Sequence, residues 1–128
     1  MSLESKKVLL VDDDPAAAMI ISATLTNAGM SVKTMRGGAE AVFDLLWGRY
    51  DLIVTDLIMP RVDGWEVIRQ ARASQKTAKV IAVSGGMADR IDSGRALEVA
   101  EMVGADVTLT KPINPNQLVR VVEALFKN

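Results

Sequence analysis

Asp56 ends an apolar run, Leu52 to Thr55, inside the stretch YDLIVTDLIMPRVDG that covers residues 50–64. Pro60 and the Asp63-Gly64 turn cut this stretch off shortly after the acid. A carboxylate delivered in this way can be a nucleophile, a metal ligand or both. Three more apolar runs end in reactive groups. VLLVDDDP (8–15) ends in Asp12, Asp13 and Asp14, KVIAVS (79–84) in Ser84, and VTLTKP (107–112) in Lys111. In open α/β sheets ligands bind outside the carboxyl ends of the parallel strands, so residues at those ends meet. Acids, a hydroxyl and a lysine at one edge suit phosphoryl transfer: one carboxylate attacks, others hold a divalent cation, and donors meet the phosphoryl oxygens.

Each piece alone has a plainer use. DDDP is a capped strand–helix junction, Asp56 could cap the following turn, and a lysine before proline is commonly a surface residue entering a loop. Ser84-Gly85-Gly86 is a weak phosphate-loop signal. Four such residue types at the ends of four apolar runs call for a common explanation, which the separate uses do not supply.

The elements that must position these groups follow from periodicity and punctuation. Lys7–Val11 reads as a buried strand. Asp14 as N-cap and Pro15 at the first helical position open a helix that Gly29 stops near Ala28, with Ala17, Ile20, Ile21, Leu25 and Ala28 as its packed face. Met30–Met35 reads as an edge strand. Gly37-Gly38 turns into a helix over about 39–48 that faces the sheet with Ala41, Val42, Leu45 and Leu46. After the central strand come a helix over about 64–73 with Val67, Ile68 and Ala71 inward, a strand over 78–83, and an amphipathic helix of about Arg95 to Val103. A strand over 106–109 and a helix over about 115–127, with Leu118, Val119, Val122 and Leu125 inward, complete the chain. Strands alternating with helices at this spacing predict an α/β fold with a parallel sheet covered on both faces.

Composition narrows the chemistry. With 128 residues, 49% apolar and 24% charged, one globular domain over 1–128 is expected, with no linker or output domain. The chain has no cysteine and no histidine, which removes disulfides, thiolate sites, Ser-His and Cys-His nucleophile pairs, and ordinary zinc or haem sites. Oxygen-ligand chemistry remains, and it suits Mg²⁺. The net charge is -1 with both signs interspersed, and the few aromatic residues are scattered, so direct nucleic-acid binding is not expected. No apolar run nears the roughly 20 residues that span a bilayer, and MSLESKK has no signal-peptide core; a soluble, cytoplasmic protein is expected.

The order acid pair, acid, hydroxyl, lysine resembles the receiver domain of bacterial two-component response regulators, from about Val8 to about Phe126. The resemblance implies a flavodoxin-like (βα)5 three-layer sandwich with five parallel strands in the order 2-1-3-4-5. It implies Asp56 as phosphoacceptor, with Ser84 and Lys111 on the phosphoryl oxygens. Mg²⁺ would be held by Asp13, by Asp12 directly or through water, by Asp56 and by the backbone carbonyl of Ile58. A cis Lys111–Pro112 peptide is also implied, X-Pro being the linkage where cis is accessible. The implied donor is a phosphohistidine on a sensor histidine kinase or histidine phosphotransfer protein. The implied output is a switched contact with a downstream protein through the Arg95–Val103 helix, the fifth strand and the last helix. Such a protein is a signalling phosphoacceptor rather than an enzyme, a monomer or a phosphorylation-linked dimer.

The sequence also departs from the family. The family couples its hydroxyl, here Ser84, to an aromatic residue three places before the lysine, where this chain has Thr108. Threonine has no ring to swing, so signalling through the Ser84 loop and the following helix is expected instead. The polar stretch Met87–Gly94 after SGG resembles a subgroup of stand-alone receivers, or else is a tolerated insertion. Ile58, two residues past the nucleophile, cannot orient water, so no strong acceleration of dephosphorylation is expected from it. The same residue argues against an aspartyl-phosphate phosphohydrolase, which uses an aspartate there. A constitutive, non-phosphorylated interaction module is the other alternative, disfavoured by the intact set of acids and lysine.

Overall fold

Strands that read as unbroken apolar runs are buried on both faces, as the strands of a helix-covered parallel sheet must be. In the computed structural model, which describes residues 3–59, 62–85 and 104–127, this holds for the centre of the sheet. Five parallel strands, β1 (Lys7–Val11), β2 (Ser31–Met35), β3 (Leu52–Asp56), β4 (Lys79–Gly85) and β5 (Val107–Lys111), lie in the order β2-β1-β3-β4-β5. Every residue of β3 is buried, whereas β2, at one edge, is exposed or half-buried throughout. The fold is the flavodoxin-like one expected from the resemblance.

Helices α1 (Pro15–Asn27), α2 (Gly38–Leu45), α3 (Gly64–Ser74) and α4 (Pro115–Leu125) cover the two faces. Leu9, Val11, Ile53, Val80 and Ala82 pack under α2 and α3; Val8, Leu10, Leu52, Val54, Ile81 and Val83 pack under α1 and α4. The alternation is the period-two side-chain pattern of a strand. No helix among the described residues is long and apolar enough to cross a membrane. The segment containing the expected Arg95–Val103 helix and the Met87–Gly94 stretch lies outside the described residues, as does Pro60.

Three helix faces differ from expectation; on α4 Val121, and not Val119, packs with Leu118, Val122 and Leu125. On α1 the buried residues are Ala18, Ile21 and Leu25, while Ile20 is exposed and Ala17 half-buried. In AAAMIISATL nearly every position is apolar, so a three-to-four spacing fits two faces offset by one residue. On α2, Ala41 and Leu45 are buried but Leu46, the C-cap residue, is exposed although its backbone is still helical. Ends move as well. The last helix stops at Leu125, and β5 runs to Lys111, two residues beyond the expected Leu109.

Candidate functional site

The register brings the reactive residues to one edge. Asp56 closes β3 opposite Val83, Ser84 follows Val83 on β4, and Lys111 closes β5 opposite Gly85. Asp12 comes one residue past Val11, which pairs with Thr55 on β3. Asp12 and Asp56 are therefore lateral neighbours.

Local bonds explain which acid goes where. The Asp12 amide donates to Met35 O at 3.0 Å, prolonging the β1–β2 ladder, and its Oδ1 accepts from the Asp14 amide at 2.9 Å. Asp14 turns away to cap α1, accepting from the Ala16 amide at 3.1 Å. Asp12 is buried as a result, and Asp13, between them, is exposed. Asp56 is held through its backbone: the Thr55 hydroxyl donates to Asp56 O at 2.9 Å, and Leu57 N to Val83 O at 3.0 Å. Gly64 N donates to Leu57 O at 2.9 Å, and a Cβ on Gly64 would overlap the Asp56 carbonyl oxygen. The absence of a side chain at Gly64 thus lets α3 close against the residue that carries the carboxylate.

Lys111 Nζ lies 3.2 Å from Asp56 Oδ2 and 3.2 Å from Asp12 Oδ2. One ammonium faces two buried carboxylates. Burial is the largest influence on Asp56 and raises its pKa; Lys111 lowers it, Asp12 raises it, and the Ile58 amide at 3.4 Å lowers it slightly, leaving it at about 6. Lys111 is desolvated too, but the two acids outweigh that and hold its pKa above the usual lysine value. The Lys111–Pro112 peptide is cis.

The residues fit a hard divalent cation. Asp12, Asp13 and Asp56 each offer a carboxylate oxygen, all within 4.8 Å of one another. Among the described residues Asp12 Oδ2, which is buried, makes no hydrogen bond and only the charge contact to Lys111, so it keeps capacity for a ligand. An all-oxygen set with room for water suits Mg²⁺.

Ser84 is fully buried at the end of β4. Its partner across β5 is Thr110, whereas Thr108 sits opposite Ala82, half-buried and two residues back on the same side of the sheet. Gly85 has φ +110, and a Cβ there would press on Thr110 and Lys111, so glycine permits β4 and β5 to stay close at the site. Sequence reasoning missed Thr55 and the contact of Gly64 with Asp56. It also missed a clasp away from the site. Arg72 donates to Gly104 O (2.7 Å), Ala78 O (2.7 Å) and Asp106 Oδ2 (2.5 Å), and Asp106 Oδ2 also accepts from Val80 N (2.8 Å). An arginine between two alanines near the end of a helix carries no local signal of such a role.

The chain matches the response regulator receiver domain model over residues 8–123. It is 32% identical over 123 residues to the transcriptional regulatory protein TcrA of Mycobacterium tuberculosis, covering 94% of this chain and 46% of that protein. It is also 32% identical to the alkaline phosphatase synthesis transcriptional regulatory protein PhoP of Bacillus subtilis, covering 96% of this chain and 49% of that protein. It thus spans about half the length of these relatives. Among solved structures, the receiver domain of sensor histidine kinase PA1611 from Pseudomonas aeruginosa superposes with a TM-score of 0.81 at 28% identity, covering 97% of this chain and 99% of that one. Its active-site cleft coordinates a magnesium ion. On its fold, the strand-end arrangement and these matches, the chain belongs to the response regulator receiver family.

Proposed function

We propose that this chain is a single receiver domain, cytoplasmic, that accepts a phosphoryl group on Asp56 in a Mg²⁺-dependent reaction. The donor is a phosphohistidine on a sensor histidine kinase or a histidine phosphotransfer protein. The observation that carries this reading is the convergence of Asp12, Asp56 and Lys111, with Lys111 Nζ 3.2 Å from a carboxylate oxygen of each acid.

In the reaction, an Asp56 carboxylate oxygen forms the new P–O bond as the P–N bond to the histidine breaks. The imidazole nitrogen keeps the electron pair and takes a proton from water. Asp12, Asp13, Asp56 and the carbonyl of Ile58 would hold Mg²⁺, whose charge offsets that of the transferring phosphoryl group. Lys111 meets one phosphoryl oxygen and Ser84 another. Placement and charge neutralisation are most of what such a transfer needs from a protein. The domain acts as a signalling phosphoacceptor, and the output is a changed contact with a downstream protein, with the Ser84 loop in the part an aromatic at Thr108 would otherwise share.

The test is intact mass after incubation with Mg²⁺ and acetyl phosphate. One added phosphoryl group, lost in Asp56→Asn and in chelator, supports the reading. Absence of an adduct in the wild type, together with no response to beryllium fluoride, sinks it.

A further inference from the structure

At the opposite end of the sheet, cavities of about 710 and 220 Å³ share Lys7, Arg49 and Tyr50 in their walls and form one groove. It extends from Lys76, after α3, to Lys33 on β2. Its floor is already hydrogen-bonded. Gln75 accepts from Tyr50 N at 3.1 Å and donates to Leu45 O at 3.0 Å and Gly48 O at 2.5 Å, while Asp51 Oδ2 accepts from Lys7 N at 2.8 Å. The Tyr50 hydroxyl is bound to Asp44, which also pairs with Lys33.

What the groove leaves unspent is positive charge and ring surface. Lys7, Arg49 and Lys76 are exposed and have no ion-pair partner among the described residues. Among the described residues Asp51 is the one acid in the walls. Trp47 is 76% exposed and stands edge-on to Phe43, with ring centroids 6.5 Å apart. Sequence-specific recognition of unpaired nucleic-acid bases relies on hydrogen bonds to their edges, and this floor has few groups left to make them. An acidic peptide needs only cations for its carboxylates and a ring for an apolar side chain.

We propose that this groove docks an acidic polypeptide segment carrying an aromatic or aliphatic residue, with Lys7, Arg49 and Lys76 facing its carboxylates and Trp47 its apolar side chain. The docking is independent of the state of Asp56. The two sites are separated by the length of β3, roughly 15 Å at its rise per residue, beyond the screening length of about 8 Å at physiological salt.

The experiment titrates the wild type and Asp56→Asn with a fluorescein-labelled oligoglutamate peptide bearing one central phenylalanine, read by anisotropy at low and high salt. Expected is saturable binding, equal in the two proteins, weakened by salt and roughly tenfold weaker in Arg49→Glu/Lys76→Glu. Trp47→Ala weakens it further, and circular dichroism checks that these surface variants fold. No binding by the wild type, binding undiminished in the double variant, tighter binding of oligoadenylate than of the peptide, or a dependence on Asp56 would each overturn the proposal. Because the readout is peptide binding, failure of phosphorylation at Asp56 leaves this result untouched.

Discussion

Replacing Asp56 with asparagine should stabilise the metal-free protein at neutral and alkaline pH, and the gain should vanish in acid. The Asp56 carboxylate loses water on burial and faces Asp12; Lys111 and the Ile58 amide return only part of that loss, so its pKa rises from the usual 3.8 to about 6. Between about pH 4 and pH 6 the folded protein keeps a proton that the unfolded chain has released. Stability therefore falls as pH rises through that window. Below it the penalty is absent, and above it the penalty is complete, about 3 kcal/mol for a carboxyl moved this far.

An amide carries no charge and avoids the penalty, which is already net of what Lys111 returns to the carboxylate. The expectation is a gain of about 3 kcal/mol at pH 8 and close to none at pH 4. Urea unfolding in chelator at both pH values, followed by tryptophan fluorescence, measures it. Equal or lower stability of Asp56→Asn at pH 8 would mean that pairing with Lys111 outweighs burial. An equal gain at both pH values would remove the electrostatic origin altogether.

Other perturbations probe the same construction. Lys111→Ala leaves Asp12 and Asp56 buried without their cation and should destabilise the protein by about 3 kcal/mol at pH 7 in urea unfolding, with much of the loss recovered near pH 4, where Asp56 is protonated. Gly64→Ala places a methyl group on the Asp56 carbonyl oxygen; it should slow Asp56 phosphorylation by acetyl phosphate roughly tenfold, while far-UV circular dichroism keeps its native form. Arg72→Met removes the bonds to Gly104, Ala78 and Asp106 and should cost about 2–3 kcal/mol, with amide exchange at Val80 and Asp106 accelerated.

The centre of the fold was legible because β1, β3 and β4 are continuous apolar runs bounded by charge or turn residues. The N-cap at Asp14 was legible for a similar reason, since Asp-Pro before an apolar stretch has few other uses. The α1 face was not, because a helix apolar nearly all round offers no unique stripe and the sheet chooses between Ile20 and Ile21. The strand-end residues could be placed at one edge, yet the sharing of Lys111 between Asp12 and Asp56 depends on register across four strands, β1, β3, β4 and β5. No sequence window contains it. The Arg72 clasp spans α3, β4 and the approach to β5, and is hidden for the same reason.

Lys111 also bears on how a modification at Asp56 could be felt elsewhere. A modification shifts a conformational equilibrium only through contacts that differ between its states. Here the ammonium divides its charge between two carboxylates that burial already strains. If Asp56 gains a phosphoryl group, the added charge sits beyond the carboxylate, and Lys111 has a stronger partner farther out along the edge. Lys111 ends β5, and Gly85, opposite it, begins the path out of β4 with a backbone only glycine adopts readily. A change in the pairing of this one lysine would therefore act on the paired ends of β4 and β5, Gly85 and Lys111.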